Sequence, residues 1–186
     1  MNYIFIGIIG FILVVVVIMF NMLIVKKNQV NNIFATVDVL LKKRYDLIPN
    51  LVSTVKGYAT HEASVFKEIA ELRAKAVSGQ VSDDEKVELS GKVSGALKSI
   101  FAVAENYPEL KASENFIQLQ RTLNELEEQI SAARRAFNAS VNDYNNSVQM
   151  FPTNILASIM GFQIRTYFSA GEEDRANVNT GELFRK

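Results

Sequence analysis

The sequence predicts an all-α protein, an N-terminal transmembrane helix followed by an antiparallel three- or four-helix bundle of coiled-coil type. Three observations carry this expectation. Residues 3–25 hold no charged side chain and are almost wholly apolar. Beyond them, apolar residues recur at steps of three and four, the period of a helix face rather than of a strand. Only three prolines and nine glycines interrupt 186 residues, which leaves room for long helices.

The apolar run covers residues 3–20 and, after Asn21, resumes to Val25, a span of 23 residues. At about 1.5 Å per residue such a helix crosses a hydrocarbon core of about 30 Å with some tilt. Lys26 and Lys27 close it. The run is longer than the apolar part of a signal peptide, and neither a preceding Lys or Arg nor a small-residue cleavage site accompanies it. It is therefore expected to remain as an anchor. The trailing flank carries Lys26, Lys27, Lys42, Lys43 and Arg44 and the leading flank no basic side chain, so the positive-inside rule places the N-terminus outside and the bundle in the cytoplasm. Gly7 and Gly10 are three apart and do not form the four-residue spacing of a helix-dimer face.

From Val30 one apolar stripe runs through Ile33, Phe34, Val37, Leu40, Leu41, Ile48, Leu51, Val52, Val55, Phe66, Ile69 and Leu72. It predicts a long helix over residues 30–76, kinked at Pro49 and softened at Gly57. Residues 78–81 form a loop. Ser82-Asp83-Asp84-Glu85 has the spacing of a capping box, in which Ser82 accepts from the third helical amide and Glu85 reaches back. The helix behind it, residues 83–106, carries Gly91 and Gly95, a pair that suits either a close helix crossing or simple tolerance. Asn106-Tyr107-Pro108 reads as a turn, with Pro108 able to start the next helix. That helix, residues 110–148, has the best heptad pattern of the chain: Phe116, Leu119, Leu123, Leu126, Ile130, Ala133, Phe137, Val141, Tyr144 and Val148. Phe151-Pro152 stops it, and residues 155–162 suit one more short helix. The expected layout is an anchor over 1–27, a bundle over 28–168 and a polar tail, extended or disordered, over 169–186.

Composition narrows the function. Lys plus Arg and Asp plus Glu number 20 each, so a nucleic-acid partner is not expected. Absence of Cys removes disulfides and thiolate metal sites. His61-Glu62 is the one pairing that hints at catalysis, but a zinc hydrolase helix needs a second His where Val65 stands. Glu125, Glu127 and Glu128 lack the Glu-x-x-His partners of a di-metal bundle and read as a solvated or salt-bridged face. Lys42-Lys43-Arg44 would stand about 25 Å from the membrane on an upright helix, beyond the reach of lipid charge, so bundle salt bridges are expected. Asn138, Asn142, Asn145 and Asn146 line one side of the last long helix and could set register inside a bundle, with Asp46, Asn50 and Arg134 as polar partners. On this reading Asn142→Leu alters register or assembly. No catalytic residue, cofactor or metal site is expected.

Two blocks carry a family resemblance. The first is Arg44-Tyr45-Asp46-Leu47-Ile48-Pro49-Asn50-Leu51-Val52, followed by Val55-Lys56-Gly57-Tyr58-Ala59 and His61-Glu62. The second starts at Glu105-Asn106-Tyr107-Pro108-Glu109-Leu110-Lys111-Ala112 and continues through Ala133-Arg134, Phe137-Asn138 and Tyr144-Asn145. It ends in Phe151-Pro152-Thr153-Asn154-Ile155 and Gly161-Phe162. Together they resemble the LemA family of bacterial membrane proteins over nearly the whole chain. The resemblance implies a single-pass protein of the bacterial cell membrane with an antiparallel helical bundle. It also implies genomic neighbours such as a membrane zinc metalloprotease, and a relative linked to magnetosome membranes. The family has no agreed activity, so the resemblance transfers no site residues.

The expected function is a membrane-anchored, non-catalytic scaffold that self-assembles into a homo-oligomer through its long helices. The alternative is an adaptor or regulator of a membrane enzyme such as that metalloprotease.

Overall fold

The computed structural model describes residues 2–59, 62–79 and 81–168. It is all-α, with six helices among the described residues. The first, α1, runs unbroken over Asn2–Lys56. Its apolar start is exposed at nearly every position, and its far half buries Val30, Val37, Leu41, Ile48, Leu51 and Val55 as one stripe. The helix is long and apolar enough to cross a membrane. There is no break between the span and the bundle, so the boundary expected near residue 27 lies inside a single helix.

The helix also continues through Pro49. A proline has no N–H to give the carbonyl four residues back, here that of Tyr45. That carbonyl instead accepts from Arg73 Nε at 2.9 Å. A side chain of the neighbouring helix thus replaces the bond that the proline removes.

The expected helix over 30–76 is two helices. After Lys56 the amides of Tyr58 and Ala59 both bond back to the Val55 carbonyl. The chain turns, and α2 (Ala63–Ala76) returns alongside α1. Both arms carry the three-and-four stripe because each faces the other, so the pattern alone could not mark the turn. Gly79 takes φ +71°, a left-handed conformation that glycine adopts without a Cβ clash.

The Ser82 capping box is present. Ser82 Oγ accepts from the Glu85 amide, and Glu85 Oε2 accepts from the Ser82 amide at 3.0 Å. These bonds, the backbone one first, hold the Glu85 carboxyl below its ordinary pKa. They open α3 (Asp83–Glu105). Pro108 starts a helix as expected, but only the four-residue α4 (Pro108–Lys111). Ser113 then takes an extended conformation and α5 begins at Glu114, running Glu114–Gln149, so the long helix expected from residue 110 is interrupted. Leu110 of α4 is fully buried and plugs the end of the core.

In α5 the buried positions Phe116, Leu123, Leu126, Ile130, Phe137, Val141 and Tyr144 follow the predicted heptad seam. This seam packs chiefly on α1, antiparallel to it: Lys26 pairs with Asp143, Phe34 with Phe137, and Arg44 with Glu127. The helices α1, α2, α3 and α5 alternate in direction, an up-down-up-down four-helix bundle with α4 as a corner.

Beyond α5, the short α6 (Thr153–Ile159) packs against α1 and α5. It ends in a Schellman motif, with Gly161 at φ +71° and the Phe162 amide bonded to the Ala157 carbonyl. Residues 162–168 then run extended, back along α5. They belong to the region expected as helical bundle, yet they form a strap rather than a helix. The predicted tail, 169–186, and His61 lie outside the described residues.

Candidate functional site: a polar layer and a strap beside an open groove

Arg44 stands at a core position of α1, between Leu41 and Ile48 on the apolar stripe, and its side chain is completely buried. A buried guanidinium needs partners for its donors. Nη1 donates to Glu127 Oε2 at 2.7 Å and to Ser94 Oγ at 2.9 Å. Nη2 donates to the Ser90 carbonyl at 3.0 Å and to Ser90 Oγ at 2.9 Å. Arg134 on α5 donates to the same Ser90 hydroxyl. One hydroxyl oxygen thus accepts from two guanidinium groups, and one half-exposed carboxylate answers the buried charge. The layer ties α1, α3 and α5 together at mid-height.

Tyr45 lies next to it, buried, with the Arg44 guanidinium 5.7 Å from its ring centre. Its hydroxyl reaches no hydrogen-bond partner. Burial pushes the phenol pKa up, and the Arg44 charge offsets only part of that rise. A pKa raised in the folded state gives stability that is whole below the unfolded value of about 10 and is lost as pH climbs past it. Tyr45→Phe is therefore expected to leave the urea midpoint at pH 7 unchanged or slightly higher. It should also flatten the decline seen above about pH 10. Parallel titrations of wild type and variant with the same alkaline slope would contradict this.

Above the layer, α3 and α5 diverge around an open groove of about 1490 Å³. Its walls include Leu97, Phe101 and Leu123, and its floor Ser94, Glu127 and Arg134. Gly91 and Gly95 also line it. A Cβ built on Gly91 meets nothing within 4 Å, so this glycine serves no close helix crossing. Phe168, the last described residue of the strap, closes one end.

The strap is held by two asparagines of α5. Asn138 donates to the Phe168 carbonyl at 2.9 Å and accepts from the Phe168 amide at 2.8 Å. Asn145 makes the same pair with Arg165, at 2.9 and 2.8 Å. Each side-chain amide thus imitates a neighbouring peptide. The spacing matches: seven helical residues rise about 10.5 Å, and three extended residues about 10 Å. Tyr144 Oη adds a bond to the Gln163 carbonyl at 2.9 Å. The Phe168 ring stands edge-on to Phe137 at 5.2 Å and stacks beside Phe34 at 6.4 Å.

Several expectations need correction here. Arg134 does join a polar layer, but Asp46 and Asn50 are exposed and take no part in it. Asn142 and Asn146 are exposed too, Asn142 accepting from the Tyr167 hydroxyl of the strap at 3.5 Å, and the asparagines turned inward are Asn138 and Asn145. Of the basic run, Lys42 and Lys43 face outward and Arg44 alone makes the bundle salt bridge. Glu125 and Glu128 are exposed, whereas Glu127 is the counter-ion. Glu62 precedes α2 without a side-chain cap bond. Ser90, Ser94 and the strap were not anticipated. The signal for Arg44 was its place on the stripe, three after Leu41 and four before Ile48.

Among the described residues no three His, Cys, Asp or Glu side chains gather as a metal site would require. Both terminal nitrogens of Arg44 are bonded within the layer, whereas its buried Nε has no hydrogen-bond partner.

Known proteins share sequence with this chain over most of its length. The chain is 27% identical over 163 residues to Protein LemA of Metamycoplasma hominis, covering 88% of this chain and 74% of that protein. It is 25% identical over 174 residues to Magnetosome protein MamQ 2 of Paramagnetospirillum magneticum, covering 80% of this chain. It is 24% identical to Magnetosome protein MamQ of Magnetospirillum gryphiswaldense. The match spans 64% of each of these two magnetosome proteins. The LemA family model matches residues 33–181, which takes in the Arg44 layer, the groove and the strap. The chain belongs to the LemA family.

Proposed function

We propose that this membrane-associated protein is a non-catalytic scaffold that assembles with copies of itself, its bundle on the cytoplasmic side of the bacterial membrane. One observation carries the reading: the groove between α3 and α5 is an open seam of mixed lining, with Leu72 and Phe101 beside Glu88, Lys92 and Asn124. A helix of another copy is the shape that fills such a seam. Anchoring in a membrane raises the local concentration of copies, so even weak seams can assemble. The polar layer beneath the groove supports structure rather than chemistry, and the relatives named as magnetosome proteins support a role at a membrane. Basic Lys26, Lys27, Lys42 and Lys43, all following the apolar run, support the cytoplasmic placement.

The test is the mass of the full-length protein in mild detergent, by native mass spectrometry. A defined multi-subunit mass is expected. The charged variant Gly91→Glu, on the exposed rim of the groove where an added Cβ meets nothing within 4 Å, should reduce it. A strictly monomeric wild type overturns self-assembly and favours the adaptor reading, for which crosslinking to a membrane partner is the next step.

A further inference from the structure

The membrane end of the bundle carries a second apolar surface, beside that of α1. No charged side chain occurs between Asp143 and Arg165, in a chain that is 22% charged. Within this stretch Met150, Phe151, Ile155, Ile159, Met160 and Ile164 are each more than half exposed. The helix α6 is inverted relative to a soluble amphipathic helix. It turns Thr153 and Ala157 inward and presents Ile155 and Ile159, one turn apart, to the outside.

The position of this surface along α1 is fixed by contacts. Lys26 bonds Asp143 at 3.2 Å, and α5 then continues toward the N-terminal end of α1. Phe162, just after α6, meets Phe20 edge-on at 6.3 Å and lies 5.7 Å from the Lys27 ammonium. Leu23, near the end of the apolar run, is fully covered. The helix α6 therefore lies beside the last turns of the apolar run, while Lys26, Lys27, Asp143 and Arg165 mark the level where charge begins. Its backbone suits an apolar medium as well. The Asn154 amide bonds the Met150 carbonyl, the Ile155 amide bonds the Pro152 carbonyl, and the Schellman motif closes the other end.

We propose that α6 and the loops on either side of it sit in the headgroup–acyl boundary of the same bilayer that α1 crosses, as a second membrane contact. The proposal rests on the reading of α1 as a membrane span. Its occupant is lipid, because the surface is continuous with the apolar run and the charged ring lies on one side of it only. An interfacial helix of this kind keeps its apolar face down and has its charged neighbours at the water side. The contact fixes how deep the bundle rides and prevents it from standing free on the anchor.

The chain has no cysteine, so single introduced cysteines report cleanly. Full-length Ile155→Cys, Ile159→Cys, Val14→Cys and Val39→Cys would be labelled with an environment-sensitive dye. They would then be reconstituted in phosphatidylcholine–phosphatidylglycerol vesicles. Spin-labelled lipids carrying the quencher near the headgroup should remove most of the emission at positions 155 and 159 and none at position 39, which lies in the exposed bundle. Position 14 should be quenched by lipids labelled deeper in the chain. Quenching at 14 with water-like emission at 155 and 159 overturns the proposal and leaves the anchor standing. No lipid quenching at 14 overturns both. Protection of 155 and 159 from lipid spin labels and from aqueous iodide alike would show a protein covering this face, and also overturns it.

Discussion

Truncating Phe168 to alanine is expected to destabilise the bundle by about 3–5 kcal/mol, the range for removing a buried aromatic ring. The ring is 6% exposed and fills the space between Phe34 and Phe137. The loss does not stop at the cavity. Phe168 is the described end of the strap, and its amide and carbonyl are the groups that Asn138 holds. Without the ring, the strap loses its apolar anchor and relies on the two asparagine clamps alone. Full-length protein in mild detergent, unfolded in urea and followed by circular dichroism, should show a clearly lower midpoint. Hydrogen exchange should quicken at the Arg165 and Phe168 amides before it quickens in α5. An unchanged midpoint with protected strap amides would falsify the account of the strap as part of the core.

The second large effect concerns the Arg44–Glu127 pair, and its two halves are not equivalent. Glu127→Ala leaves a fully buried guanidinium with hydroxyls and a carbonyl but no counter-ion. Stranding a buried charge costs about 3–5 kcal/mol, and the half-exposed position of Glu127 points to the lower end. Arg44→Met removes the same pair yet strands little. Ser90 Oγ keeps its bond from Arg134, Ser94 Oγ keeps the Ser90 carbonyl at 3.1 Å, and Glu127 remains partly solvated. Arg44→Met is therefore expected to cost about 1 kcal/mol or to be neutral, since apolar replacement of buried ion pairs is often tolerated. Urea midpoints of the two single variants and the double variant close the cycle. Equal losses from both singles would show that geometry, rather than desolvation, dominates this layer.

Patterns that depend on residues close in sequence were legible. The seam of α5 appeared position by position, from Phe116 to Tyr144, because a heptad is a local signal. The capping box at Ser82 and Glu85 was legible for the same reason. What escaped depends on distant partners. The carboxamides of Asn138 and Asn145 bond to backbone groups of residues 165 and 168, and a backbone group has no side-chain identity to betray it. Arg44 makes the bundle salt bridge expected of the basic run, but its complete burial was not legible beside Lys42 and Lys43, because it depends on Ser90, Ser94 and Glu127 of other helices. The turn between α1 and α2 was hidden because two facing helices carry one continuous periodicity.

One consequence follows from the unbroken α1. A helix that passes from the apolar run into the bundle with no loop between them has no joint at which the two can swivel. From Val25 to Lys56 it reaches about 46 Å at about 1.5 Å per residue. With α1 crossing the bilayer, a change of tilt of about 10° there would sweep the Lys56 end sideways by about 8 Å. Membrane thickness and curvature would then be read out mechanically, as a heading and displacement of the distal tip.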